Sequence, residues 1–294
     1  MRNIKIIARR ELGAYFGTPL AYIFVIIFVA LTGAFAFFIG NFFERGQADL
    51  QAFFVYHPWL YLLLVPAIAM RLWAEERKSG TIELLMTLPV STGEAIIGKF
   101  LAAWAFIGVA LLLTVPMWLT VNYLGRPDNG VIFASYIGSF LMAGAFLAIG
   151  SAISALTKNQ VIAFIVSATL CFLFVMSGAE MVLNVVRRLS PGAIVQLVGV
   201  VAAVVALAIS AYRSNWGAAT AAVLGGVVAY LIGWLLGDFG SGFVVQAISA
   251  LSFLSHFDQV SKGVISLSTL IFYASLIGFF LFANVVIVEM RKAA

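Results

Sequence analysis

Charged residues are scarce in this sequence. Of its 294 residues, 17 are Lys or Arg and 12 are Asp or Glu, so charged side chains make up 10% of the chain, against about 25% in soluble domains. Hydrophobic residues make up 63%. The apolar runs have about the 20 residues that a membrane-spanning α-helix needs, whereas barrel strands are shorter and alternate. The composition excludes a soluble globular protein and predicts an all-α, polytopic membrane bundle.

Cysteine and histidine are also rare. The single cysteine, Cys171, excludes a disulfide within the chain. The two histidines, His57 and His256, lack the clustered ligands that a zinc site requires. We therefore predict no metal site and no cofactor bound by this chain. The net charge of +5 indicates membrane orientation rather than nucleic-acid binding.

Eight apolar segments are predicted to span the membrane, and we expect residues 1–294 to form a single transmembrane domain. The spans lie at residues 19–40, 54–71, 100–122, 131–155, 160–183, 193–211, 217–237 and 264–288. In residues 1–17, basic side chains are interleaved with isoleucines, which is typical of an amphipathic elbow helix lying on membrane lipid. A frayed basic tail is the alternative.

The distribution of Lys and Arg predicts the orientation of these spans. With a cytoplasmic N-terminus, twelve of them lie in cytoplasmic segments and five on the other side, which satisfies the positive-inside rule. Both termini are then cytoplasmic, although Arg187 and Arg188 fall on the wrong side. No charged residue lies near the middle of a predicted span, and ion-coupled carriers usually keep such residues. We infer that any active transport takes its energy from another protein.

Residues 71–99 form a long charged loop between spans two and three. Such residues cannot lie in hydrocarbon. Ser79-Gly80 should end the helix that continues span two, and Thr81 should begin a short surface helix over residues 81–88. The apolar side chains of this helix, including Leu84 and Leu85, could insert into a groove of a partner protein. A solvated connector is the alternative.

Residues 93–100, GEAIIGKF, nearly match a phosphate-binding loop. Phe100 replaces the hydroxyl residue that would bind magnesium, and the segment leads into a membrane span rather than following a buried strand. We predict that the chain contains no ATPase core and is not itself an enzyme.

Two further patterns concern packing and the region before the last span. Residues 243–262 are apolar but interrupted by serines, His256 and Asp258, which predicts two short interfacial or re-entrant helices meeting near Ser255. Small residues recur at every fourth position in spans four and seven, which favours close helix packing within the chain, or alternatively a dimer seam. They are Gly144, Ala148 and Ala152, and Gly225, Ala229, Gly233 and Gly237.

The segment from Glu75 to Phe100, EERKSGTIELLMTLPVSTGEAIIGKF, resembles the cytoplasmic coupling loop of type-two ABC transporter permeases. The stretch from Leu251 to Ser275 and the N-terminal ARREL are similar to the gliding-motility and copper-maturation branch (GldF-like and NosY-like). The resemblance implies a candidate outer gate at Ser255, His256 and Phe257. It also implies contacts to a cytoplasmic ATPase, which binds ATP and magnesium, from Glu75, Glu76, Gly80, Thr81, Glu83, Leu84, Leu85 and Pro89.

The same resemblance implies a permease subunit that pairs with a second copy or a paralogue in a bacterial inner membrane. The family core has six spans, so residues 193–237 form an extra hairpin, and an accessory protein with an extracytoplasmic domain is a candidate partner for it. A membrane scaffold without transport is the alternative function. An enzyme acting on lipid is disfavoured, because no catalytic constellation is found.

Overall fold

The computed structural model describes residues 2–81, 90–188, 191–212, 216–236 and 241–290. All regular secondary structure in these residues is helical, which confirms the predicted all-α class. Fifteen α-helices and one π-helix, Phe35–Ile39, lie in this part of the chain. The α-helices are α1 (Arg2–Phe16), α2 (Pro19–Ala34), α3 (Gln51–Phe54), α4 (His57–Ala69), α5 (Arg71–Ser79), α6 (Thr92–Leu112), α7 (Val115–Leu124), α8 (Asn129–Leu156), α9 (Gln160–Met176), α10 (Glu180–Arg188), α11 (Pro191–Tyr212), α12 (Trp216–Leu236), α13 (Ser241–Ala250), α14 (Phe253–Ser261) and α15 (Leu267–Met290).

Within the described residues, five helical segments are long and apolar enough to cross a membrane, which confirms a multi-pass membrane protein. They correspond to predicted spans one to four and eight, and they are Ala21–Ile39, Gln51–Ser79, Thr92–Leu124, Asn129–Leu156 and Leu267–Met290. The three other predicted spans coincide with shorter apolar helical segments, Gln160–Met176, Val195–Ala206 and Val223–Ile232.

Predicted span five ends earlier than the hydropathy suggested. The helix α9 stops at Met176 rather than near residue 183, and a turn in which the Ala179 amide donates to the Met176 carbonyl precedes α10. The turn contains Ser177 and Gly178, which favour irregular backbone. The end of α9 therefore comes from local turn chemistry and not from a loss of apolar residues.

Contacts divide the chain into two compact units. The main unit comprises Met1–Val175 and Phe253–Ala294, and the hairpin unit comprises Met176–Ser252. The single transmembrane domain expected from the sequence stays a prediction, because a division into packing units does not test it. Hydropathy carries no signal for this division, because the segments of both units are similarly apolar. Each unit has helix-to-helix packing of its own.

The core of the main unit is built around α8. Helices α4, α5, α6, α14 and α15 all pack on it. Small residues allow this close packing: a Cβ added to Gly144 would lie 2.7 Å from a ring atom of Trp104, and one added to Gly150 would lie 2.4 Å from the Ala69 Cβ. Ala148 and Ala152 are buried as well. The small-residue pattern of span four therefore serves packing within the chain.

The hairpin unit contains α11 and α12, which pack against each other, and α10 and α13, which do the same. A Cβ added to Gly199 would lie 2.5 Å from the Ala229 Cβ, so Ala229 serves the packing of α11 on α12. Gly226 also meets α11, at Ala203, whereas a Cβ added to Gly225 would meet nothing within 4 Å. At this point the glycine of α12 that contacts α11 is Gly226, one position after the predicted Gly225. Gly237 lies outside the described residues.

Residues 243–262 form two short helices, as the interrupted hydropathy predicted. The break lies at Leu251 and Ser252, between α13 and α14, and not near Ser255. The amides of Leu251 and Ser252 donate to the carbonyls of Ile248 and Ser249, which closes a turn at this point. Ser255 lies instead inside α14, between the buried rings of Phe253 and Phe257.

Candidate functional site

Both ends of the charged loop are defined by capping interactions. At the first end, α5 stops at Ser79 and Gly80 adopts φ +73°, a left-handed conformation that glycine tolerates without strain. At the second end, the Ser91 hydroxyl accepts from the Glu94 amide at 3.2 Å, while the Glu94 carboxylate accepts from the Ser91 amide at 3.3 Å. This capping box starts α6. Ser91 is therefore the N-cap of the helix that leaves the loop.

A buried lysine lies between the flanks of this loop. The Lys99 side chain is only 4% exposed, and its Nζ lies 2.6 Å from Glu76 Oε1 and 3.3 Å from Glu11 Oε2. The same Nζ lies 5.6 Å from the centroid of the Trp73 ring, within the range of a cation–π interaction. We call Glu11, Glu76 and Lys99 the Lys99 cluster. It connects α1, α5 and α6.

The cluster has unequal charges, with two carboxylates around one ammonium group. Burial opposes ionisation of Glu11, but the Lys99 ammonium and the bond from Arg10 outweigh it, so the pKa of Glu11 is lowered. Arg10 lies 2.7 Å from Glu11 on the exposed side. Removing one partner of a buried ion pair is costly because it leaves the other charge uncompensated. The cluster therefore holds the three helices together at neutral pH.

Helix α1 docks on α6 through packing as well as charge. A Cβ added to Gly98 would lie 2.8 Å from Ile7 Cγ2, so only glycine allows this approach. The Asn3 amide group donates to Glu94 at 3.1 Å, and the rings of Tyr15 and Phe106 stack with centroids 5.2 Å apart. These contacts hold α1 against α6 from Glu94 to Phe106. Movement of α6 must therefore displace α1.

Helix α5 is also attached to α8. The Arg77 guanidinium donates to the Ala155 carbonyl at 2.7 Å, and the Trp73 indole donates to Ser151 at 3.3 Å. Arg71 and Glu75 form a separate, more exposed ion pair at 2.8 Å. A cavity of about 260 Å³ lies beside this helix and is lined by Glu11, Ala14, Tyr15, Thr18, Arg71, Leu72, Glu75, Glu76 and Lys99.

The predicted ATPase-contact residues fall into three groups. Glu75, Gly80 and Thr81 are exposed. Glu76 turns inward to Lys99, with its side chain 19% exposed. The remaining residues lie outside the described part of the chain, and they are Glu83, Leu84, Leu85 and Pro89.

The importance of Lys99 was missed by the sequence reasoning, which treated it as the last residue of an exposed loop. Its partner Glu11 lies in another helix far along the chain, and no periodic pattern connects the two. One signal was present: Lys99 lies in the second turn of α6, seven residues beyond a clear helix start at Thr92. The near phosphate-binding loop lies within this continuous helix. Its amides from Ala95 onward donate to carbonyls of the preceding turn, and the Glu94 amide donates to the Ser91 hydroxyl.

The three residues of the candidate outer gate lie in α14, and only one of them is fully buried. Phe257 is 3% exposed, and a Cβ added to Gly138 would lie 3.7 Å from its ring. The His256 ring stacks on Phe272 with centroids 4.1 Å apart, and its Nδ1 lies 3.3 Å from Thr269 Oγ1. Ser255 is half-buried. In the described residues, no group of three His, Cys, Asp or Glu side chains could hold a metal ion.

The comparisons with known proteins agree with this architecture. The family model described as ABC-2 family transporter protein matches residues 7–289. No curated protein matches the chain. The matched region includes α1 from Ile7 onward, the charged loop, the whole hairpin unit and nearly all of α15. Because the match covers almost the whole sequence, the chain belongs to the ABC-2 transporter family.

Proposed function

We propose that this ABC-2 permease subunit couples ATP hydrolysis by a separate cytoplasmic ATPase to export, or to mechanical transmission, across the membrane. In this proposal, residues 80–91 dock on the ATPase, which binds ATP and magnesium. Two permease subunits, either identical or paralogous, pair in a bacterial inner membrane with their termini in the cytoplasm. The loop and the N-terminal helix then lie on the same side of the membrane.

The Lys99 cluster is the observation that supports this proposal most. Glu76 lies in the helix that enters the loop, Lys99 in the helix that leaves it, and Glu11 in α1. A force applied to the loop therefore reaches both flanking helices and α1 together. Because α1 is joined to α2 by the short turn at Gly17 and Thr18, the same force reaches the first span. A solvated connector would need no such buried attachment.

The C-terminal part of the chain supports a finer proposal. The likeness of residues 251–275 to the gliding-motility and copper-maturation branch suggests that α14 lies on the extracytoplasmic side and gates the outer end. The hairpin 193–237 is then a docking element for an accessory protein with an extracytoplasmic domain. Cross-linking from α11 in native membranes, followed by mass spectrometry, tests this assignment directly.

The docking claim is tested by a pull-down from native membranes in mild detergent. Leu84 and Leu85 are changed together to Asp, because charges on an inserted apolar surface oppose its burial in a groove. We expect a stoichiometric ATPase with the unchanged protein and its loss from the double variant. The matched control is Leu124→Asp, which places the same charge on an exposed leucine at the end of α7 and should retain the ATPase.

Two results would contradict the proposal. An ATPase that remains bound to the double variant would remove the loop as its docking site. A clean preparation of the unchanged protein without any ATPase would favour a membrane scaffold, and the charged loop would then need a different partner.

A further inference from the structure

The helix of the second span is interrupted at one residue immediately before the charged loop. Helix α4 ends at Ala69 and α5 begins at Arg71, with Met70 between them. The first amides of any helix lack carbonyl partners within that helix, and Met70 offers no side-chain cap to α5. Pro66 also lies inside α4 and has no amide hydrogen to donate. The start of α5 therefore needs hydrogen-bond partners from elsewhere.

Ser154 of α8 supplies these partners. Its Oγ accepts from the Trp73 amide at 3.1 Å and from the Ala74 amide at 3.0 Å, and it donates to the Met70 carbonyl at 2.8 Å. A hydroxyl group has one hydrogen to donate and two lone pairs to accept with. All three are used at this one junction. Ser154 is 0% exposed, so water cannot replace it there.

The position of this hydroxyl is fixed by tight packing. A Cβ added to Gly150 would lie 2.4 Å from the Ala69 Cβ, so α8 and the end of α4 are in direct contact one turn from Ser154. Ser151 lies on the same helix and accepts from Asn284 of α15 at 2.8 Å. The backbone around Met70 is therefore bonded to Ser154, whose position relative to α4 is held by the packing of α8.

From these contacts we propose that Ser154 is a positioning residue, which caps α5 from a neighbouring helix and sets the direction in which α5 presents the charged loop to the ATPase. This inference rests on the proposed function, in which the loop docks. The Lys99 cluster holds α5 near its far end, and Ser154 holds it at its base. With its base held by Ser154, α5 turns about Met70 when the loop is displaced, and it carries the Lys99 cluster with it.

The first test measures the cap in the unchanged protein by hydrogen exchange of the backbone amides. We expect the amides of Trp73 and Ala74 to be protected, with exchange at least about tenfold slower than at exposed Thr81, because a buried hydrogen bond must open first. Equal exchange rates at the two sites would overturn the proposal. This measurement needs neither a variant nor an ATPase.

The second test uses Ser154→Ala in the isolated permease. Spin labels are placed at Lys78→Cys on α5 and Ile97→Cys on α6, both at exposed positions, while the native Cys171 is buried. We expect a broader distance distribution between the two labels than with Ser154 present. Ser135→Ala is the matched control: it removes another buried hydroxyl of α8, whose bond goes to the Val131 carbonyl of its own helix and not to α5. It should leave the distribution unchanged.

The complex with the ATPase supplies a readout that general destabilisation does not predict. Ser154→Ala should retain a bound ATPase, because the loop is intact, but lose most of its coupling between ATP hydrolysis and transport. Ser154→Thr keeps the hydroxyl and should restore a narrow distance distribution. If Ser154→Ala and Ser135→Ala broaden the distribution equally, Ser154 has no special role. Loss of the ATPase from the unchanged protein would instead contradict only the proposed function.

Discussion

The C-terminal end of α8 holds α5 by hydrogen bonds, whereas residues 138–146 of α8 hold α14 by apolar packing. At the first place, Ser151, Ser154 and the Ala155 carbonyl bond to α5. At the second, Phe146 stacks on Phe253 with centroids 4.8 Å apart, and Gly138 admits Val260 of α14. Hydrogen bonds have strict geometry and packing is less directional. The difference indicates that the orientation of α5 is controlled more tightly than that of α14.

The largest expected effect comes from removing the cation of the Lys99 cluster, which holds α5 to α1 and α6. Lys99→Ala leaves Glu76 without its cation and Glu11 with only the exposed Arg10, and we expect a loss of about 3–5 kcal/mol in the free energy of unfolding. Denaturant unfolding in detergent, followed by tryptophan fluorescence, measures it. Arg10→Ala is the control, because Arg10 is 59% exposed and an exposed pair contributes less than about 1 kcal/mol. Equal effects of the two changes would mean that burial of Lys99 has no energetic importance.

Where α14 packs on α8, Phe257→Ala should cost about 3 kcal/mol in the free energy of unfolding, because it opens a cavity beside α8. The effect should be independent of salt, since no charge is involved. Ser255→Ala should change little, because the side chain is only half-buried. The same unfolding measurement checks both variants. A Phe257 variant as stable as the Ser255 variant would show that α14 is not held by this ring.

Glycine substitutions on α8 compare its packing against α14 with its packing against α4, because each adds a Cβ to a close contact. Gly138→Ala places a Cβ 2.6 Å from Val260, and Gly150→Ala places one 2.4 Å from Ala69. Each should cost about 1–3 kcal/mol, but only Gly150→Ala should displace α5 and change the distance between labels at positions 78 and 97. Gly278→Ala, where a Cβ meets nothing within 4 Å, should be neutral or slightly stabilising. An unchanged distance in the Gly150 variant would contradict tight control of α5.

The smallest expected effect is the response to acid. Because the folded-state pKa of Glu11 is lowered, its stabilising contribution is complete above the unfolded-state pKa, near 4.3, and is lost as the pH falls through the folded-state value. Docking of α1 on α6 should therefore be constant from pH 8 to about 5 and weaken below about 4. Hydrogen exchange in α1 follows this change. Glu11→Gln should remove its part of the pH dependence, and an unchanged acid response in that variant would assign the effect to other groups.

Much of the fold could be predicted from composition and hydropathy. Five long spans, the charged loop and the end of a helix at Gly80 all follow from local sequence. The contacts of Lys99 and Ser154 could not be predicted, because their partners Glu11 and Met70 lie far away in the chain and serine and lysine are common near helix ends. The end of α9 at Met176 was also missed, because a short turn of small residues leaves the apolar run almost uninterrupted. Residues 82–89, which hold half of the predicted ATPase contacts, lie outside the described residues.

The Lys99 cluster also has a consequence for exchanging parts between transporters. A charged loop taken from another ABC-2 permease and placed between residues 80 and 91 would meet the ATPase with its own surface, but its flanks would still be held by Glu11, Glu76 and Lys99. The transferable piece is therefore not the loop alone. It is the loop together with α1, α5 and the first two turns of α6, and chimaeras cut at those boundaries are the ones we expect to function.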